Sequence, residues 1–186
     1  LVYFTRRSRK KIGGNGGMTR SEITAVLSQM IEQKINPSND VRIYWAKEVT
    51  FDYSTNHAVR VDYMKFVPTN NSTSGIEKGD FYGYEIKSSV EDFHSGHGLN
   101  FISDFNYLVM PEKVYATVSL EIPYYVGVYA WSGGELNCVK KAKRQNRSRP
   151  VSEMLLMMFR SSNRERRKIE NKLKEAEHKK CLSERQ

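Results

Sequence analysis

The chain has 186 residues, 39% of them hydrophobic and 27% charged, with a formal net charge of +9. That is enough for one well-buried domain with polar extensions. No apolar run approaches the ~20 residues that cross a bilayer, and two cysteines far apart, Cys138 and Cys181, argue against a disulfide framework or a zinc ribbon.

The expected setting is a reducing cytoplasm, and the positive charge favours a polyanionic partner. Residues 6–11, RRSRKK, supply five of the positive charges and run into GGNGG, ahead of Met18. Residues 1–17 are therefore expected to be a flexible extension upstream of the natural start. A folded domain is expected over 18–143 and a basic helical tail over 144–186.

Thr19 and Glu22 stand in capping-box spacing before an apolar stripe of Ile23, Val26, Leu27, Met30 and Ile31, which predicts a helix to about Lys34. Three segments rich in β-branched and aromatic residues follow, at 41–53, 58–68 and 81–88, and read as strands. Ser88 and Glu91 repeat the capping-box spacing, so a second helix is expected from Ser88, distorted by Gly96 and Gly98. YLVMP (107–111) and VGVYAW (126–131) read as further strands, and ELNCVKKAK pairs back across Ser132-Gly133-Gly134. The basic run 140–149 then leads into one long or two broken helices from Val151. This order predicts an α/β fold: a mixed sheet, antiparallel in its first half, flanked by helices.

The charges within GDFYGYEIKSS (79–89) raise the question of function. Glu85 and Lys87 are two apart and share a strand face. Opposed residues of an antiparallel pair have a constant number sum. Centring the second hairpin on its 69–79 loop makes that sum 147 and sets Asp62 opposite Glu85, with Val61, Tyr84 and Ile86 facing the other way. A one-residue slip would undo this. Opposed carboxylates repel and give a sheet no stability. A hard cation held by oxygen ligands removes the conflict, and Mg²⁺ commonly takes one or two carboxylates with water and substrate phosphate. The competing explanation is a solvated salt-bridge cluster on an exposed sheet face.

The ordered acids and lysine resemble the core of the PD-(D/E)XK (restriction-endonuclease-like) nuclease superfamily, with VRVD on one strand and YGYEIKSS on the next. The stretch from KEVTFDYSTNHAVRVDYMKFV to YEIKSSVEDF is most similar to the MmcB-like DNA-repair proteins of that superfamily, over about residues 20 to 135. The resemblance implies an αβββαβ core, Asp62 and Glu85 as Mg²⁺ (or Mn²⁺) ligands with the Ile86 carbonyl as a third, and Lys87 as the catalytic lysine. Val61 stands where the superfamily often has proline, the 69–79 loop is long, and the basic tail is additional.

Glu48 depends on the first hairpin. A two-residue turn opposes Asp62 to Val49, and a three-residue turn or a bulge opposes it to Glu48. The resemblance favours Glu48 as a further acid. Glu22 and Ser88 are expected as helix caps, His57 in a turn, and His94 and His97 in a polar loop. Lys140, Lys141, Lys143, Arg144, Arg147 and Arg149 are either a solvated segment or a phosphate-binding one. The function expected from these readings is Mg²⁺-dependent hydrolysis of DNA, in repair or on a mobile element, in the cytoplasm or, in a bacterium, at the nucleoid. The alternative is a nucleic-acid-binding module without catalysis on the same fold. Backbone contacts alone do not separate DNA from RNA.

Overall fold

A computed structural model describes residues 17–183, with side chains to His178. The expected extension over 1–17 thus lies outside the described residues, Gly17 excepted. Helix α1 (Arg20–Ile35) starts at the capping box: the Thr19 N–H donates to the Glu22 carboxylate at 2.7 Å, and the Glu22 N–H donates to the Thr19 hydroxyl at 3.3 Å. Its buried Leu27, Ile31 and Ile35 lie on one face of the sheet against Tyr63, Tyr84 and Val109.

The sheet has six strands in sequence order. Strands β1 (Tyr44–Phe51), β2 (Val59–Val67) and β3 (Asp80–Ile86) form an antiparallel half. Strands β3, β4 (Phe105–Pro111) and β5 (Gly127–Ser132) are parallel, and β6 (Glu135–Lys140) returns antiparallel to β5. The α/β fold class and the mixed sheet flanked by helices agree with expectation.

Three elements depart from it. The 69–79 loop contains a short helix, α2 (Thr73–Glu77), capped by the Ser72 hydroxyl. Helix α3 (Val90–His94) is capped by Ser89, whose hydroxyl accepts from the Asp92 N–H at 3.1 Å, and not by Ser88. Ser88 is instead buried, its N–H donating to the Asp92 carboxylate at 2.9 Å. Helix α4 (Glu112–Val118) follows β4 without a turn. It packs with α3 on the sheet face opposite α1, burying Val114 and Val118 against Leu108, Met110 and Val128.

The last helix, α5 (Val151–Ser183), is unbroken. Its Val151, Met154 and Met158 complete a core with Phe51, Phe66 and Phe81 beneath the antiparallel half. The basic run is the strap that brings the chain back from edge strand β6 to α5, which lies against edge strand β1. It is sewn down by backbone hydrogen bonds from Lys143 to the Tyr125 carbonyl (2.9 Å) and from Gln145 to the Asp104 carbonyl (2.8 Å). No helix among the described residues is long and apolar enough to cross a membrane.

Candidate active site

Alternation along a strand sends successive side chains to opposite faces. In β1 and β2 it fails at one shared rung. Ala46, Val49 and Phe51 all join the core under α5, and so do Val61, Met64 and Phe66. Each set contains one three-residue step where a regular strand allows only even ones. The rungs on either side keep a single register, Lys47 with Tyr63 and Val49 with Val61, so the irregular rung is Glu48 with Asp62. Glu48 adopts a left-handed φ of 57° there, a conformation rare for non-glycine residues. The first hairpin therefore takes the arrangement that sets Glu48 opposite Asp62. Val61, expected to share a face with Tyr84 and Ile86, points instead into the α5-side core, because the break at Asp62 inverts the faces of the strand beyond it.

The second hairpin pairs Tyr63 with Tyr84 and Met64 with Gly83. This is the register expected from the loop centre, and it brings Asp62 to the level of Glu85. The Ile86 N–H donates to Asp62 Oδ2 at 2.9 Å, which ties the end of β3 to the irregular rung. Asp62, Glu85, Ile86 and Lys87 line one open hollow of about 700 Å³. Glu48 borders a smaller neighbouring hollow of about 270 Å³ that also reaches Asp62 and Ile86. Its carboxylate is half-exposed and takes the Arg60 guanidinium at 3.4 Å.

Glu85 and Lys87 are 6% and 3% exposed, which removes the solvated salt-bridge explanation for this pair. Burial, and then the Asp62 charge, push the Glu85 carboxyl up to about 10. Burial also raises Asp62, partly offset by its hydrogen bond from the Ile86 N–H. The Lys87 amine donates to the backbone carbonyls of His97 and of Asp92, the latter at 3.4 Å.

A buried Glu85 and a half-buried Asp62, which repel unless one is protonated, suit a divalent cation that would replace that proton. Among the described residues no group of three or more His, Cys, Asp and Glu side chains is arranged to hold a metal. The donor set is thus two carboxylates, and an ion there would need water, a backbone carbonyl or substrate oxygen to complete it.

Three further groups shape the hollow, and sequence reasoning did not single them out. Asp92 accepts from the Ser88 N–H and hydroxyl and from Arg20 Nη2 at 2.7 Å, which anchors α1 to the end of β3. Arg20 and Arg60 stay 63% and 58% exposed at its rim. Arg60, two residues before Asp62, was the readable signal. Of the two histidines, His94 pairs with Glu121 at 3.0 Å, and His97 serves through its carbonyl.

The expected nucleic-acid-binding residues are largely occupied. Arg144 pairs with Asp80 at 2.7 Å, Arg147 with Asp104 at 3.1 Å, and Arg149 with Asp52 and Glu153. Lys140 donates to the carbonyls of Ile122 and Pro123, and Lys143 lies over the Tyr124 ring. Lys141 is exposed.

Gly98 closes the hollow over Glu85. It has a φ of 76°, and a Cβ there would stand 2.5 Å from Glu85 Oε2. Gly96 has a similar φ of 71° with nothing within 4 Å of its Cβ position. Gly96→Ala should therefore cost about 1 kcal/mol of backbone strain alone. Gly98→Ala should cost at least twice that and should displace the Glu85 carboxyl. Parallel thermal melts of the two variants measure the difference.

No family model matches this chain, and no curated protein matches it. Among solved structures it is similar to the SPO1766 protein of unknown function from Silicibacter pomeroyi, with a TM-score of 0.52 and 14% identity over 82% of this chain and 90% of that one. At that identity the likeness bears on the fold alone.

Proposed function

We propose that the chain is a Mg²⁺- or Mn²⁺-dependent phosphodiesterase acting on DNA. The observation that carries this reading is the convergence of Asp62 and Glu85, from neighbouring strands, with Lys87 in one hollow at the end of β3. A divalent ion held by the two carboxylates would supply a Lewis acid for the phosphoryl oxygen and an acidified water. Glu85, whose carboxyl is raised, would give up its proton on loading. Lys87, once released from the His97 and Asp92 carbonyls, is placed to orient a nucleophile or to stabilise charge developing on phosphorus. Arg20 and Arg60, exposed at the rim, would meet the flanking phosphates.

The test is cleavage of DNA by the full chain with Mg²⁺ or Mn²⁺, and its arrest by chelator. Asp62→Asn, Glu85→Gln and Lys87→Ala should each lower the rate by about 10²–10⁴-fold. Cleavage that persists in all three variants removes these residues from the chemistry and ends the reading.

One observation favours a second reading, nucleic-acid binding without hydrolysis. The Lys87 amine is turned into the 92–97 segment and hydrogen-bonded there. On that reading DNA is bound with an affinity that falls with salt, and no metal elicits cleavage.

A further inference from the structure

Helix α5 carries a core-facing stripe and a second seam, interrupted by Ser162 and Arg166, that its own domain covers in part at Leu155 and leaves exposed from Phe159 onward among the apolar positions. The first, Val151, Met154, Met158 and Ser161, faces the core. The second runs Leu155, Phe159, Ser162, Arg166, Ile169, Leu173, Ala176, alternating steps of four and three, the spacing of a coiled-coil seam. Phe159, Ile169 and Leu173 are 64%, 59% and 58% exposed, and every residue from Arg166 to His178 is exposed. A 33-residue helix is about 50 Å long, so its second half runs on without packing against its own domain. A solvated helical half is marginal in water unless an apolar face is covered.

The near end of the seam borders an apolar groove of about 640 Å³ beside edge strand β1, walled by Tyr44, Trp45, Phe66, Leu155 and Phe159. A second hollow continues it past Trp45 and Ser162 to Ile169. Groove and unpartnered stripe thus form one surface.

We propose that this surface is a two-fold interface between two copies of the chain, in which the projecting half of each α5 lies antiparallel in the β1–α5 groove of the other. The side chains on the seam are self-complementary in that arrangement. Placing the axis between Arg167 and Lys168 sets Phe159 against Ala176 of the second copy and Ser162 against Leu173, large against small. The flanking positions then set Glu165, which pairs with Lys168 of its own helix at 2.7 Å, beside Lys172 of the other copy, twice by symmetry, while the two Arg166 side chains straddle the axis, each paired with Glu170 of its own helix at 3.3 Å. A parallel pairing would instead bring Glu165 next to Glu170. The antiparallel mode is isologous and closes at two copies.

Sedimentation velocity and light scattering on the full chain test this. The expected result is a dimer at micromolar concentration that Leu173→Glu converts to a monomer with unchanged helix content. Glu165→Lys or Lys172→Glu alone should weaken the dimer about threefold to tenfold, and the two together should restore it. With Cys138 and Cys181 replaced by serine, Ser162→Cys combined with Leu173→Cys should give an intermolecular disulfide that Ser162→Cys alone does not. A chain that stays monomeric at about 100 µM, well above the range of specific dimers, overturns the proposal, whether or not another protein occupies the groove. So does a dimer indifferent to Leu173→Glu, or one cross-linked through Ser162→Cys alone.

Discussion

Replacing Glu85 with glutamine should make the metal-free protein more stable, and increasingly so as the pH rises. The Glu85 carboxyl is raised from an ordinary value of 4.5 to about 10 by burial and by Asp62. The folded state therefore keeps this proton across a window in which the unfolded chain has lost it. A group whose folded pKa is raised contributes its full share below the unfolded value, and that share is lost as pH climbs toward the folded value. At pH 7 the cost of holding Glu85 neutral is on the order of 3 kcal/mol, from 1.36 kcal/mol per unit. Glutamine has nearly the same shape and no proton to lose, so it escapes this cost. The variant should melt roughly 5–10 °C higher at pH 7, and the gap should close as the pH falls to about 4.5. Millimolar Mn²⁺ should narrow it from the other side, since an ion that binds only the native wild type stabilises by mass action. Thermal melts of both proteins across pH, with and without metal, decide the matter. A Glu85→Gln variant less stable than wild type at neutral pH, by a deficit that shrinks as the pH falls through the carboxylate range, would mean an ionised Glu85 paired with Lys87.

That Asp62 and Glu85 come to one level was legible in the chain because the 69–79 loop is compact. Helix α2 folds it back on itself, so its centre does mark the register, and Asp62 meets the level of Glu85. The capping box at Thr19 was legible for a similar reason, since both partners lie within one turn. What could not be read was the break at Glu48 and Asp62. Strand periodicity assumes φ in the extended region, and nothing in KEVTF marks the one residue that leaves it. Helix α4 was hidden because EKVYATV is rich in β-branched and aromatic residues and continues a strand without punctuation. Charge without partners misled in another way. The run 140–149 contains no acid, so its arginines looked free, but Asp52, Asp80 and Asp104 reach them from the sheet.

Arg147→Ala separates the two uses of that run and should have the largest stability effect in the strap. Asp104 is 3% exposed and accepts from the Phe81 N–H at 2.9 Å and from Arg147 at 3.1 Å. The same guanidinium donates to the carbonyls of Gly79 (2.8 Å) and Glu77 (3.1 Å) and lies over the Phe81 ring. It thus joins the strap, the end of α2 and the start of β3. Removing it leaves the buried carboxylate with only the more distant Arg144, and loss of the close partner of a buried pair typically costs about 3–5 kcal/mol, or roughly 10 °C in Tm for a chain of this size. Arg147→Lys should recover only part of this, because an ammonium cannot span carboxylate and carbonyls with a planar fork. If the chain binds DNA as proposed, binding measured where the variant is still folded should keep its wild-type salt dependence, whereas loss of a phosphate contact would reduce the slope by about one. Arg60→Ala, at the rim of the hollow, should show the opposite pattern, with little change in Tm and a shallower salt slope. A stable Arg147→Ala variant with a shallower slope would make this arginine a phosphate contact of the proposed DNA complex and leave Asp104 to be balanced by Arg144, which stands 3.9 Å from it.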